Sequence, residues 1–90
     1  MLWMSIFTYE PEKRDEVVKR RLEIGTGLPQ GLKSIGQWTD LTGGRNFTLT
    51  EGPDDPKLML AAIMAWDDLG KFDNVPVMEV EEALKLVPKG

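Results

Sequence analysis

The first residues of the chain form a pattern that leaves apolar side chains on both sides of a predicted strand, residues 2–9. Successive side chains in a strand point to opposite faces. One face of this strand carries Leu2, Met4 and Ile6, and the other carries Trp3, Phe7 and Tyr9. Both faces therefore need cover. We assign the first face to the helices of the chain, and the second to another subunit, a ligand or both.

A helix is predicted next. Pro11 suits the first helical position, and residues 11–24 are rich in helix formers, with Val17, Val18 and Leu22 on a buried stripe. Gly25 ends this helix. The glycine-rich loop 25–31 follows a helix and does not open one, so turn formation explains it better than phosphate binding.

Two strands follow, over residues 32–42 and 45–51, with Gly43-Gly44 between them as a two-residue hairpin turn. This turn predicts that Trp38 lies opposite Leu49 and that Asp40 lies opposite Phe47. Cross-strand partners share a face. The aromatic residues of the hairpin are therefore expected on one face, together with Glu51.

The second half of the chain contains a second helix and a last strand. Asp55 is a good N-cap before Pro56, and the helix should run to Leu69, with apolar residues nearly all round. Residues 72–80 are predicted as a strand that lies at a sheet edge or contains a bulge, because proline is tolerated in both places and Pro76 lies within it. A short helix over residues 81–87 closes the chain.

The order strand, helix, strand, strand, helix, strand predicts a single α+β domain over residues 1–90. Its expected architecture is a ferredoxin-like βαββαβ sandwich, in which both helices cover one face of a four-stranded antiparallel sheet. The other face of the sheet is left bare. A second copy of the chain could cover it.

Composition narrows the function. The chain is 41% hydrophobic and 29% charged, as soluble globular proteins are, and its net charge of −4 argues against nucleic-acid binding. It has no secretory pattern at its start and no apolar run long enough for a membrane span, so a cytoplasmic protein is expected. It contains neither cysteine nor histidine. We therefore expect no metal and no cofactor, and we assign no catalytic residue.

The candidate site is the aromatic face of the predicted sheet. Its members, as ligand-binding or dimer-interface residues, are Trp3, Phe7, Tyr9, Trp38, Asp40, Phe47, Leu49 and Glu51. Aromatic residues with a few polar groups are typical of small-molecule pockets. They are also enriched at protein interfaces. We favour a dimer interface over a pocket for a small hydrophobic molecule.

Several short motifs, in this order and spacing, resemble those of one family. They are Met1-Leu2-Trp3-Met4, Pro11-Glu12, Arg14-Asp15-Glu16-Val17, Gly36-Gln37-Trp38, Gly43-Gly44-Arg45-Asn46-Phe47, Asp54-Asp55-Pro56, Trp66 with Asp68, Pro76-Val77 and Glu81-Glu82. The chain resembles the ferredoxin-like dimeric α/β-barrel superfamily, and within it a family of short prokaryotic domains of uncharacterised function.

That resemblance implies a homodimer in which two sheets pack face to face. It implies no particular reaction, because the architecture hosts oxygenases, isomerases and proteins without known activity. In the family pattern, histidine often follows the tryptophan of the second strand, whereas this chain has Thr39.

Two other functions stay open. One is a cofactor-independent monooxygenase or isomerase acting on a hydrophobic or aromatic substrate, with Trp38, Tyr9 and Glu51 around the reacting carbon and Glu51 as base. The other is a regulatory domain that recruits a protein through the edge strand bearing Pro76.

Overall fold

The computed structural model of the chain describes residues 1–88. Its elements are β1 (Leu2–Thr8), a 3-10 turn (Pro11–Lys13), α1 (Arg14–Ile24), β2 (Lys33–Thr39), β3 (Arg45–Glu51), α2 (Pro56–Met64), β4 (Lys71–Val77) and α3 (Val80–Leu84). None of the described helices is long and apolar enough to cross a membrane.

The four strands form one sheet in the order β2-β3-β1-β4, and every neighbouring pair is antiparallel. The first strand therefore lies between β3 and β4, in the middle of the sheet. With one helix after β1 and another after β3, this is the ferredoxin-like α+β fold expected from the sequence. Pro76 lies on β4, an edge strand, as predicted.

The second helix begins as predicted but ends earlier. The Oδ1 atom of Asp55 accepts a hydrogen bond from the Lys57 amide at 3.0 Å, which caps the helix. The helix ends at Met64 instead of Leu69. Tight turns follow it, with amide-to-carbonyl bonds from Trp66 to Ile63 and from Leu69 to Trp66. These turns place Trp66 and Leu69 in the buried core.

The first helix covers the sheet with fewer side chains than predicted. Val17 is buried, whereas Val18 and Leu22 are exposed. The predicted stripe was wrong in these two positions, because α1 contacts the rest of the protein along a narrow line. An ion pair joins α1 to the turns that follow α2: the Nη2 atom of Arg20 lies 2.8 Å from Oδ2 of Asp68.

The connection between β2 and β3 is longer than the two-residue turn predicted. It comprises residues 40–44, because the carboxylate of Asp40 binds the Thr42 amide at 2.8 Å and the Arg45 side chain at 3.0 Å. Gly43 and Gly44 supply the positive φ angles of this loop, 89° and 85°.

This loop shifts the register of the hairpin by two residues. Trp38 pairs with Phe47, and not with Leu49 as predicted. Asp40 lies just past the end of β2, and its amide donates a hydrogen bond to the carbonyl oxygen of Arg45 at 2.9 Å, so it is not opposite Phe47. A shift of two residues keeps every side chain on its predicted face. An irregularity between Ser34 and Gly36 then changes the alternation near the start of β2.

The main correction concerns the faces of the sheet. Phe7 is 6% exposed and packs with Val17, Trp66 and Leu69, so the Trp3–Phe7 side of β1 faces the helices. The prediction placed this side on the bare face and was wrong. The opposite side of β1 is the bare one. There, Ile6 pairs with Phe47 and Met4 pairs with Leu49.

The error has a physical reason. Both sides of β1 are apolar, so the pattern of this strand alone does not decide which side meets the helices. In this fold, the more apolar side of the whole sheet is turned away from them. We call it the open face; it carries Leu2, Met4, Ile6, Phe47, Leu49, Val75 and Val77. The helices cover the more polar side.

Candidate functional site

A cavity of about 280 Å³ lies between the sheet and the two long helices. The core cluster around Phe7 closes one part of this space. Elsewhere α1 and α2 do not fill the gap above the sheet. The cavity follows from the unusual placement of polar side chains beneath the helices, because short hydroxyl and amide groups fill less space than the leucines of an ordinary core.

The floor of the cavity is a polar row that crosses all four strands. The strand registers place Gln37 beside Thr48, Thr48 beside Ser5, and Ser5 beside Asn74. All four side chains line the cavity. Neighbouring strands are roughly 4.8 Å apart, so the row spans roughly 14 Å from its first to its last backbone position.

The roof combines apolar side chains of α1 and α2 with the loop that follows α1. Ala62, Ile63 and Trp66 contribute apolar surface from α2 and its C-terminal turn. The indole Nε1 of Trp66 donates a hydrogen bond to the carbonyl oxygen of Thr26 at 3.0 Å. Gly27 packs closely there, since a Cβ atom at this position would lie 2.7 Å from that nitrogen. The loop is thereby fixed over one end of the cavity.

A hydrogen-bonded chain runs from the roof to the floor at the β2 side. Arg21 on α1 donates from Nη2 to Oε1 of Gln37 at 2.7 Å, and Nε2 of Gln37 donates to the hydroxyl oxygen of Thr48 at 3.3 Å. Both Arg21 and Gln37 are exposed. The cavity therefore opens to solvent beside Arg21. No carboxylate among residues 1–88 forms an ion pair with this guanidinium.

The opposite end of the row, which we call the closed end, lies on the edge strand β4, where Asn74 as a whole is half-buried. The Oδ1 atom of Asn74 is buried and accepts no hydrogen bond from any group within residues 1–88. Leaving such an atom without a partner costs about 1–3 kcal/mol. Buried polar groups are almost always paired, so an exception calls for an explanation. A hydrogen-bond donor on a ligand in the cavity would satisfy this atom.

The chemistry available in the cavity is hydrogen bonding. Among the described residues that line it, only Arg21 is ionisable near neutral pH or carries a charge. The other polar groups are hydroxyls and amides, which bind and orient a ligand but are poor proton acceptors. The residues are suited to recognition of a partly apolar molecule with polar groups at its ends.

The structure divides the predicted site residues between two faces. Phe7 lines the cavity, and Tyr9 packs beside it with ring centroids 5.8 Å apart. Trp3 pairs with Thr50 and shares this helix-covered face. Trp38 pairs with Phe47 and so belongs to the open face, although it also borders the cavity at the edge strand and is 56% exposed.

The remaining predicted residues do not join this group. Phe47, Leu49 and Glu51 alternate along β3 on the open face, on the far side of the sheet from the cavity. Asp40 is part of the β2–β3 loop. Its hydrogen bonds to Thr42, through the hydroxyl and then the amide, and its contact with Arg45 lower the pKa of this carboxyl to about 2. It is a structural group of the loop.

Sequence reasoning missed the polar row and Arg21. The signal was the alternation in β3, where Asn46, Thr48 and Thr50 alternate with Phe47 and Leu49. Polar residues in that pattern are usually taken as a solvent-facing side. The row becomes visible only when the register of all four strands is known.

Fold and site together define a small ferredoxin-like domain with a polar-floored cavity under its helices. The chain belongs to the family described as "Domain of unknown function (DUF3303)", whose model matches residues 1–90. This confirms the predicted membership of a family of short domains of uncharacterised function. No curated protein matches the chain.

One similar solved structure is described as "a putative antibiotic biosynthesis monooxygenase" from Deinococcus radiodurans. It is 17% identical to this chain, with a TM-score of 0.46, and the match covers 88% of this chain and 93% of that one.

Proposed function

We propose that this protein binds a small, partly apolar organic molecule in the cavity between its sheet and its helices. The observation that carries the proposal is the polar row with the unpaired Oδ1 atom of Asn74 at its closed end. If this amide served only to fill space, leucine in its place would make the folded protein more stable. A ligand that donates a hydrogen bond to the Oδ1 atom would explain why an amide is present instead.

Binding is better supported than the alternative of a cofactor-independent monooxygenase or isomerase. Such an enzyme needs a base within reach of the substrate carbon. Glu51, the predicted base, is exposed at the end of β3 on the open face, whereas Tyr9 packs on the helix-covered side. The predicted catalytic group is therefore not assembled. Of the described residues that line the cavity, none carries a carboxylate.

Filling the cavity tests the proposal. Ala62 lines the cavity and Ala61, next to it on α2, is exposed, so Ala62→Phe and Ala61→Phe form a matched pair. A library of small aromatic and aliphatic acids, alcohols and amides is screened by NMR, with the indole N–H of Trp66 as the reporter inside the cavity.

We expect ligands that shift the Trp66 signal in the wild-type protein and in Ala61→Phe, and no such shift in Ala62→Phe. Circular dichroism checks that both variants fold. Equal binding by both variants would place the ligand elsewhere and contradict the proposal.

We also propose that two copies of the chain pair through the open face. Four strands of seven residues present a surface of roughly 19 by 23 Å, and its central positions are Met4, Ile6, Phe47 and Leu49. Charged residues lie at the border of this surface, among them Arg45, Glu51 and Asp73, and an exposed apolar patch with a polar rim is typical of an interaction site. A second copy would cover it with an identical surface, as a twofold interface requires.

Light scattering at micromolar concentration tests this pairing. Leu49→Lys places a charge in the middle of the open face, while Leu22→Lys places one on α1 where the side chain is already 82% exposed. The wild-type protein and Leu22→Lys should have the mass of a dimer, and Leu49→Lys that of a monomer. A monomeric wild-type protein would contradict the proposal.

A further inference from the structure

We propose that the ligand of the cavity is a small hydroxy acid with an apolar body, whose carboxylate lies at Arg21 and whose hydroxyl lies at Asn74. This inference rests on the proposed function and adds the chemical class of the ligand and its orientation. It depends on the different surroundings of the two ends of the polar row.

The charged group of the ligand belongs at the open end. Arg21 is exposed and donates one hydrogen bond to Gln37, at 2.7 Å, which fixes its guanidinium over the start of the row. A guanidinium has five N–H donors and pairs well with a carboxylate. At this end the carboxylate keeps part of its hydration, so its desolvation cost is small.

A neutral group belongs at the closed end. An ionised group buried against Asn74 would lack both water and a cation, which is costly. The unpaired Oδ1 atom of Asn74 needs a donor. A hydroxyl meets that need, and because it also accepts, it can use the amide nitrogen or the hydroxyl of Ser5, the neighbour of Asn74 in the row.

The body between the two groups should be apolar. Above the row, Ile63 and Trp66 contribute apolar surface, and Phe7 and Phe72 lie beside its closed end, with ring centroids 4.7 Å apart. An aromatic or aliphatic body would pack against these side chains, and the polar groups at its two ends would set its direction.

Three probes separate the contributions of the two ends. They are 3-(4-hydroxyphenyl)propanoate, 3-phenylpropanoate, which lacks the hydroxyl, and 3-(4-hydroxyphenyl)propan-1-ol, which lacks the carboxylate. Affinities are measured by NMR titration on the Trp66 indole and the Asn74 side-chain amide. We expect the hydroxy acid to bind roughly tenfold more tightly than either analogue.

Two variants test whether Asn74 recognises the hydroxyl and whether Arg21 recognises the carboxylate. Asn74→Leu should weaken binding of the hydroxy acid roughly tenfold and leave 3-phenylpropanoate unchanged or tighter. Arg21→Gln should weaken both acids and leave the alcohol unchanged. Arg14→Gln, on an exposed residue of α1 outside the cavity, is the matched control and should change none of the three affinities.

The outcomes distinguish this inference from the proposal on which it rests. Cavity binding of all three probes with equal affinity, or an Asn74→Leu variant that loses both acids equally, would overturn the hydroxy-acid assignment and leave ligand binding intact. If no probe or library compound shifts the Trp66 signal, both proposals are wrong. The expected result, in which Asn74→Leu weakens binding of the hydroxy acid alone and Arg21→Gln weakens binding of both acids, supports both proposals.

Discussion

Ile6 and Phe47 lie opposite each other across β1 and β3, on the face of the sheet turned away from both helices. One residue further along β1, Phe7 is buried beneath the helices beside Trp66, with ring centroids 6.1 Å apart. Two phenylalanines of the same sheet therefore have different surroundings. Phe7 packs in the core of the chain, whereas Phe47 lies on the open face.

Replacing each phenylalanine should have a different effect on stability. Phe7→Ala empties a site in the only buried apolar cluster among residues 1–88 and should lower the free energy of unfolding by about 3–5 kcal/mol at every protein concentration. Phe47→Ala should have its main effect at concentrations where the wild-type protein pairs. Urea unfolding at several protein concentrations measures both.

A contrary result is easy to recognise. If Phe47→Ala destabilises the protein equally at all concentrations, Phe47 packs within one chain and the open face does not form an interface. The guanidinium of Arg45 lies 5.3 Å from the centre of the Phe47 ring, and this contact accounts for a small loss that is independent of concentration.

The sequence predicts element order, the α2 cap and the edge position of Pro76, because these depend on local signals. Asp55 before Pro56 is a helix start in almost any context. The sequence does not predict which side of β1 meets the helices, since both sides of this strand are apolar and the choice depends on the register of all four strands. The β2–β3 register depends on Asp40, whose hydrogen bonds to Thr42 and Arg45 extend the turn.

Asn74 should limit the stability of the free protein. Because its Oδ1 atom is buried and unpaired, Asn74→Leu should raise the free energy of unfolding by about 1 kcal/mol. Gln37→Leu is the comparison: Gln37 binds both Arg21 and Thr48, so its replacement should lower stability. Urea unfolding without ligand gives both values. A clear loss of stability in Asn74→Leu would mean that this amide is paired in solution.

Asp40 should make stability depend on pH in acid. Its pKa is lowered from 3.8 to about 2 by its hydrogen bonds to Thr42 and by Arg45. A carboxyl with a lower pKa in the folded state stabilises the protein above pH 4, and this contribution is lost as the pH falls towards 2. Asp40→Asn should therefore show a shallower fall in the urea midpoint over this window.

The Thr42 hydroxyl makes the largest contribution to that low pKa. Thr42→Val keeps the backbone hydrogen bond and removes the one from the side chain, which is 2.7 Å long. An NMR titration of the Asp40 carboxyl should give a pKa between about 2 and the ordinary value of 3.8 in this variant. An unchanged pKa would show that the backbone amide and Arg45 are sufficient.

Gly70, just before β4, should not tolerate replacement by a larger residue. A Cβ atom there would overlap the carbonyl oxygen of Thr8 and lie 2.8 Å from the Phe7 ring, and neither the central strand nor the buried ring can move away. Gly70→Ala should lower the free energy of unfolding by about 3 kcal/mol, as overpacking does. Gly43→Ala is the control, because a Cβ atom there meets nothing within 4 Å. Because Gly43 has a positive φ of 89°, Gly43→Ala should lower the free energy of unfolding by about 1 kcal/mol through backbone strain alone. If urea unfolding gives equal losses for the two variants, contact with Phe7 and β1 does not determine the need for glycine at the start of β4.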